Sequence, residues 1–365
     1  MTTTTSAPAP TQSRSAVFHP LTVTAVDRLC EDAAAITFAV PAELRETYAF
    51  RAGQSLTLRR VLDGREHRRS YSICAPAGDA LRIGVREIPD GLFSSWLVNE
   101  VVPGIRIEVQ PPTGAWQAAP ELGERHLCIA AGSGITPMLS VASTVLAHPQ
   151  AQVSLLYGNR TGRTVMFTEE LGDLKNRYGP RLQVVHVLSR EPRDVELFSG
   201  RLDGDKLRRL LTGLVPAEVF DHVWLCGPFQ MVQDARTVLT DLGVPADRVH
   251  VELFYVDAPP PQPRRAADAP PPGATTELTT VLDGRRVTST VSRETTILDG
   301  ALASRSDMPF ACKGGVCGTC RAIVREGEAD MRRNYALEQD EVDGGFVLTC
   351  QSFPTGDQVT VDYDA

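Results

Sequence analysis

Four of the eight cysteines fall in one C-terminal segment, Cys312-Lys-Gly-Gly-Val-Cys317-Gly-Thr-Cys320 and then Cys350. Four and then two intervening residues, with a distant fourth cysteine, is the ligand spacing of a plant-type 2Fe-2S centre. Two sulfide-bridged irons need four thiolates, and a tight loop has to deliver three of them without crowding. Gly314, Gly315 and Gly318 let that loop take unusual φ values and turn amide N–H groups toward the sulfurs, stabilising the charge added on reduction. Structural zinc also takes four thiolates, although its sites more often use paired short spacings. The other cysteines, Cys30, Cys74, Cys128 and Cys226, are scattered through apolar runs and read as buried thiols, which suits a reducing compartment.

A second set of residues is suited to nucleotides. Arg69-Ser70-Tyr71-Ser72 lies on an expected strand, where alternate residues project to one face, so Arg69 and Tyr71 act together as guanidinium for a phosphate and ring against a flat heterocycle. Gly91-Leu-Phe93-Ser94-Ser-Trp-Leu97 reads as a helix start, whose free amides and positive dipole end suit a pyrophosphate. Gly132-Ser-Gly134-Ile-Thr136-Pro137 follows an apolar strand and opens a helix; its glycines admit a dinucleotide close to the backbone, and Pro137 suits a first turn. Pro137 stands where the third glycine of Gly-x-Gly-x-x-Gly would fall. Cys226-Gly227-Pro228 ends a later strand, as do Tyr157-Gly158-Asn159-Arg160 and Leu188-Ser189-Arg190-Glu191, at the edge where open α/β sheets bind ligands.

Three folded pieces must position these residues. Short strand-like runs from Leu21 to Val109, separated by Gly, Pro and Asp turns, predict an antiparallel β-barrel over 17–119. From 120 to 257, apolar strands alternate with helical segments (137–147, 166–178, 205–214 and 230–242), predicting an α/β domain with a parallel sheet. The proline-rich run APPPQPRRAADAPPPG predicts a semi-rigid linker over 258–274. A third domain over 275–365 starts with a hairpin around Asp283-Gly284 and a helix near 295–305. Residues 1–16, rich in Thr, Ser, Ala and Pro, are expected to be a disordered leader.

The net charge of −8 argues against a nucleic-acid partner, and no apolar run is long enough for a membrane span, so a cytoplasmic protein is expected. Residues 276–365 carry fifteen acidic and nine basic side chains, an imbalance that reads either as a docking face for a basic partner or as a solvated acidic surface. His19, His67, His126, His186, His222 and His250 show no metal-like spacing and are expected at the surface or at strand edges.

Taken together, Arg69-x-Tyr71-Ser72, the Gly91 helix start, Gly132-x-Gly134-Ile-Thr136-Pro137 and Cys226-Gly227-Pro228 resemble the ferredoxin-NADP reductase family. The stretches PFACKGGVCGTCRAIVREGEADM and FVLTCQSFP resemble the ferredoxin domain of flavin-dependent oxygenase reductases, which implies a β-grasp fold there. The resemblance covers nearly the whole chain from Phe18. It implies Arg69 on the flavin phosphate, Tyr71 against the isoalloxazine, Ser72 near the hydride-accepting nitrogen, and Gly91, Phe93 and Ser94 at the pyrophosphate. It further implies Gly132, Gly134, Thr136, Asn159, Arg160, Cys226, Gly227 and Pro228 around a nicotinamide cofactor. Ser189 and Arg190 resemble a 2′-phosphate pocket, implying NADPH, with NADH as the alternative. Ser72, Tyr71 and Cys226 are the catalytic candidates.

YGNRTGRTVMFTEELGDLKNRY and HVLSREPRDVELFSGRLDGDKL are most like the reductase components of bacterial phenylacetyl-CoA epoxidases. This implies FAD, rather than the FMN of phthalate-type members, and a di-iron oxygenase partner fed through the 2Fe-2S cluster. A reductase of an aromatic-ring dioxygenase and a non-catalytic redox sensor are the alternatives. Plastid-type relatives cover the flavin with a terminal aromatic residue; here Phe254 and Tyr255 stand at the corresponding end of the core.

Overall fold

The computed structural model describes residues 17–62, 64–89, 91–114, 116, 118, 125–254, 271 and 273–365. The expected leader, most of the expected linker and Tyr255 lie outside the described residues. Phe18–Pro259 forms one compact unit, and the C-terminal module another.

The first unit opens with six antiparallel strands: β1 (His19–Cys30), β2 (Ala33–Ala39), β3 (Ser55–Leu62), β4 (Arg65–Ser72), β5 (Leu81–Arg86) and β6 (Arg106–Val109), in the order β4-β3-β6-β1-β2-β5. A bridge between Ile73 and Ile83, with Cys74 N donating to Arg82 O at 2.9 Å, joins the two outer strands and closes the barrel. Period-two alternation puts Leu56 and Leu58, and likewise Ile83 and Val85, into one core with Leu21, Ile36 and Val109. Strand β4 starts at Arg65, ahead of the Arg69-Ser70-Tyr71-Ser72 motif, because the β3–β4 hairpin runs on as far as the Leu62–Arg65 pair. Helix α1 (Leu92–Asn99) follows β5 and buries Phe93, Ser94, Leu97 and Val98.

Next comes a five-stranded parallel sheet of β7 (Arg125–Ala131), β8 (Gln152–Asn159), β9 (Leu182–Leu188), β10 (His222–Gly227) and β11 (Val249–Leu253), ordered β11-β10-β7-β8-β9. Helices α2 (Ile135–Val145), α3 (Thr168–Tyr178), α4 (Gly204–Gly213) and α5 (Phe229–Asp241) connect the strands. Leu127 to Ala130 are all buried, as strands covered on both faces require. The strand order reverses between β7 and β10, and open sheets bind ligands at such a switch point, beyond the carboxyl ends.

The C-terminal module is a mixed sheet of β12 (Thr275–Leu282), β13 (Arg285–Ser292), β14 (Arg321–Met331), β15 (Phe346–Leu348) and β16 (Ser352–Asp362), ordered β13-β12-β16-β14-β15. Its β12 and β16 run parallel and its other pairs antiparallel, with helix α6 (Ile297–Ser304) packed on β12, β13 and β16 and a short α7 (Gln339–Asp343), a β-grasp arrangement. Asp283 and Gly284, both at positive φ (51° and 70°), form the β12–β13 turn, and their amides donate to the Asp364 carboxylate at 2.7 and 2.8 Å. Leu278, Leu298, Ala301, Val359 and Tyr363 build the core. No described helix is long and apolar enough to cross a membrane.

Candidate active site

On the barrel, Arg69 and Tyr71 stand opposite Leu58 and Leu56 on the same face of the β3–β4 pair. The Tyr71 ring lies 6.2 Å from that of Phe93, which meets Trp96 edge-on at 5.7 Å, so the β4 motif and the α1 start share one cluster. Burial pushes the Tyr71 phenol up, keeping it neutral. Ser94 Oγ accepts from Ile88 N at 3.0 Å, and a Cβ on Gly91 would fall 2.6 Å from that oxygen and 2.8 Å from Ile88 O, so only glycine fits. Arg69 is exposed, with Nη1 donating to Arg68 O at 2.7 Å, and is placed to take an anion. Its neighbour Arg68, passed over in the sequence, is fully buried and paired with Glu66 at 2.6 Å.

At the switch point the turns after β7 and β10 touch. A Cβ on Gly134 would lie 2.1 Å from Cys226 O, so this backbone approach exists only because residue 134 is glycine. Thr136 Oγ1 donates to Ser133 O at 3.0 Å and Tyr157 OH to Gly132 O at 3.1 Å, fixing the turn. Gly227 packs against Met231, and Pro228 caps α5. Asn159, at the carboxyl end of β8, is buried, yet among the described residues neither Nδ2 nor Oδ1 has a hydrogen-bond partner. The Tyr157 hydroxyl interacts with it, but within hydrogen-bond geometry that hydroxyl donates to Gly132 O and accepts from Met166 N at 3.3 Å. An orphaned amide at this edge fits a bound dinucleotide that would satisfy it. Ser189 N donates to Asn159 O at 2.8 Å and Arg190 N to Arg160 O at 2.7 Å, so these strand ends are side by side.

The barrel and the sheet meet at Ser72, whose Oγ lies 3.3 Å from Glu252 Oε2. Glu252 is the register partner of Cys226 across β10–β11. Desolvation pushes the Glu252 carboxyl up to about 8, against the smaller opposing effect of Ser72. Burial, and then the Glu252 charge, push the Cys226 thiol well up, so it is a neutral thiol. Glu252 escaped the sequence reading, which stopped at the Phe254-Tyr255 aromatics. Phe254 is half-buried against the main core.

In the C-terminal module, Lys313, Gly315 and Gly318 all take positive φ (51°, 80° and 67°), coiling the loop that carries three cysteines. Cys312 shares a thiol hydrogen bond with Cys317, and Cys320 with Cys350. The Cys317 bond, with the amides of Gly314, Val316 and Cys317, outweighs burial and pulls the Cys312 thiol down. Gln351 Nε2 bonds Lys313 O at 2.8 Å and approaches Cys350 Sγ at 3.8 Å. Tyr363 OH donates to Thr349 Oγ1, which donates to Cys320 O, both at 2.9 Å, bracing the loop from the last strand. Among the described residues no three His, Cys, Asp or Glu side chains gather to hold a single ion. Thiols paired two and two suit two irons rather than one tetrahedral zinc.

Of the histidines, only His126 departs from the expected surface or strand-edge position; His186 and His250 lie on the edge strands β9 and β11. His126 is fully buried and accepts from Trp224 Nε1 at 3.2 Å, while His222 Nδ1 and His250 Nε2 are 3.1 Å apart. Their strands β7, β10 and β11 are neighbours, so register stacks side chains that the sequence keeps far apart.

A flavin barrel, a parallel-sheet nicotinamide domain and a two-iron module in one chain define an electron-transfer oxidoreductase. Family models agree: an oxidoreductase FAD-binding domain matches residues 20–118, an oxidoreductase NAD-binding domain 128–237, and a 2Fe-2S iron-sulfur cluster binding domain 280–355. The chain belongs to the ferredoxin-NADP reductase family, among the oxygenase reductase components that carry a C-terminal 2Fe-2S ferredoxin domain. It is 42% identical over 353 residues to one of the subunits of the 1,2-phenylacetyl-CoA epoxidase of Escherichia coli (strain K12), covering 95% of this chain and 98% of that one. It is 34% identical to the ferredoxin reductase component of 3-ketosteroid-9-alpha-monooxygenase of Rhodococcus rhodochrous, covering 97% and 98%. Phthalate dioxygenase reductase has the same modular fold, with a TM-score of 0.59 at 24% identity, covering 94% of this chain and 98% of that one.

Proposed function

We propose that this chain is the NADPH-dependent reductase of a phenylacetyl-CoA epoxidase, delivering electrons to its di-iron oxygenase component in the cytoplasm. Similarity to the Escherichia coli epoxidase chain over nearly its full length supports the partner. The observation that carries the chemistry is the meeting of Ser72, Cys226 and Glu252 where barrel and sheet join. Bound FAD would take two electrons from the nicotinamide and pass them singly to the two-iron centre, the chemistry belonging to the cofactors.

The chain's own residues bind, orient and exclude water. Arg69, Tyr71, Ser72, Gly91, Phe93 and Ser94 hold the flavin; Gly132, Gly134, Thr136, Asn159, Arg160, Ser189, Arg190, Cys226, Gly227 and Pro228 hold the nicotinamide cofactor; Cys312, Cys317, Cys320 and Cys350 ligate the irons. Ser72, Tyr71, Cys226 and Glu252 line the reacting centre, where positioning supplies most of the rate. NADPH is favoured because Ser189 and Arg190 sit beside Arg160, whereas the nearby Glu191 carboxylate is turned onto Gly162 N at 2.8 Å. The domain limits that go with this reading are 17–119, 120–257 and 275–365, tethered by 258–274.

Mixing the purified holoenzyme with the oxygenase component of the epoxidase tests it. Phenylacetyl-CoA should be required for coupled NADPH oxidation and oxygen uptake. Coupled turnover with an aromatic-ring dioxygenase, and none with the epoxidase, overturns the assignment.

A further inference from the structure

Arg160 leaves the carboxyl end of β8 beside Ser189 and Arg190, yet its guanidinium is engaged elsewhere. Its Nη2 lies 2.5 Å from Oδ2 of Asp32, in the β1–β2 turn of the barrel. The same oxygen is 3.5 Å from Nη1 of Arg86, and Asp32 Oδ1 accepts from Cys30 Sγ at 3.2 Å. Arg86 is a structural partner, with a side chain only 15% exposed that also donates to Thr164 O. Arg160 differs: its side chain is 46% exposed, and among the ion pairs of the described residues Asp32 is the one anion it is paired with.

We propose that Asp32 is a specificity-determining residue, competing with the 2′-phosphate of NADPH for Arg160, so that a barrel carboxylate sets the relative use of NADPH and NADH. This rests on the reading of the β8 and β9 ends as the nicotinamide site. The competition is physical. A phosphate monoester offers a guanidinium more charge and a bidentate fork, so it can displace a carboxylate held by one short contact. Asp32 opposes it twice, by occupying Arg160 and by repelling the dianion, while NADH carries no charge there and feels neither effect. Exposed ion pairs are weak, so the discrimination at stake is roughly two- to fivefold.

The test uses the FAD- and cluster-loaded enzyme and measures dissociation constants for 2′,5′-ADP and 5′-AMP. Asp32→Asn should tighten 2′,5′-ADP by roughly two- to fivefold and leave 5′-AMP unchanged. Asp32→Glu, which restores the charge, should return the ratio to the wild-type value. Arg160→Gln should weaken 2′,5′-ADP alone and cancel the effect of Asp32→Asn in the double variant. Because Asp32→Asn leaves Arg86 buried without its carboxylate, Asp32→Asn with Arg86→Gln repeats the measurement with both charges removed. An unchanged or weakened 2′,5′-ADP affinity in both backgrounds overturns the proposal. Failure of the wild type to bind either nucleotide would instead remove the nicotinamide assignment, and the proposal with it.

Discussion

Ser72 on β4 and Glu252 on β11 stand 180 residues apart in the chain, and their side chains meet, Oγ to Oε2, at 3.3 Å. The contact ties the barrel to the parallel sheet beside the Cys226 thiol. Losing one hydrogen bond of about 1 kcal/mol corresponds to roughly fivefold in rate. Ser72→Ala should therefore slow flavin bleaching by NADPH in stopped flow by about fivefold. An unchanged rate would remove Ser72 from the reacting centre.

Glu252 gives a pH signature. Its carboxyl is raised from 4.5 to about 8 by burial, so the folded chain holds a proton that the unfolded chain releases between those values. That contribution to stability is complete below pH 4.5 and is lost as pH rises through 8. In urea unfolding, Glu252→Gln should gain on the wild type between pH 6 and pH 9; parallel midpoints across that range would refute the shift.

The histidine pair runs the other way. Burial, and then His222, lower His250 to about 4, and burial lowers His222, with Asp221 raising it and Arg248 lowering it. The buried His126 and Trp224 are stacked on the same array. Stability from this pair should therefore be present above pH 6.5 and fall as pH drops toward 4. His250→Gln should flatten the difference between urea midpoints at pH 5 and pH 7.5. An acid sensitivity equal to the wild type's would exclude the pair as its source.

Gly134→Ala forces a methyl group onto the Cys226 carbonyl, 2.1 Å away, and the backbone must give way. Overpacking of this kind costs about 1–3 kcal/mol. Denaturant unfolding should show that loss, together with a raised KM for NADPH. Normal stability with normal KM would mean that the turns after β7 and β10 are not in contact.

Cys320→Ser removes one of the four paired sulfurs. Iron content and cluster absorbance should be lost, while flavin bleaching by NADPH persists. A variant that still holds two irons would refute the ligand set.

Local patterns carried much of this structure. Alternation at Leu56 and Leu58 marks a barrel strand, and the unbroken apolar run from Leu127 to Ala130 marks a strand buried on both faces. The helices begin within a residue or two of expectation, and at α4 and α6 Asp203 and Thr296 are N-caps with their own local signal. Glu252 was not legible: its importance comes from lying next to Cys226 in the sheet and against Ser72 in the barrel, two relations that only tertiary register creates. Arg68 and Arg69 are adjacent and identical in type, and only the tertiary fold decides which is buried against Glu66 and which is left exposed. His222 and His250 show no metal spacing in sequence, and their pairing follows from the β10–β11 register.

In the C-terminal module the first and last strands, β12 and β16, are parallel neighbours in the middle of the sheet. Neither end of the module can therefore be finished while the other is missing, and closing so long a loop precedes any gain from pairing. Assembly of this piece should be all-or-none and comparatively slow. Iron and sulfide would then be captured only once the final strand is in place, which makes cluster loading a late event in the maturation of the polypeptide.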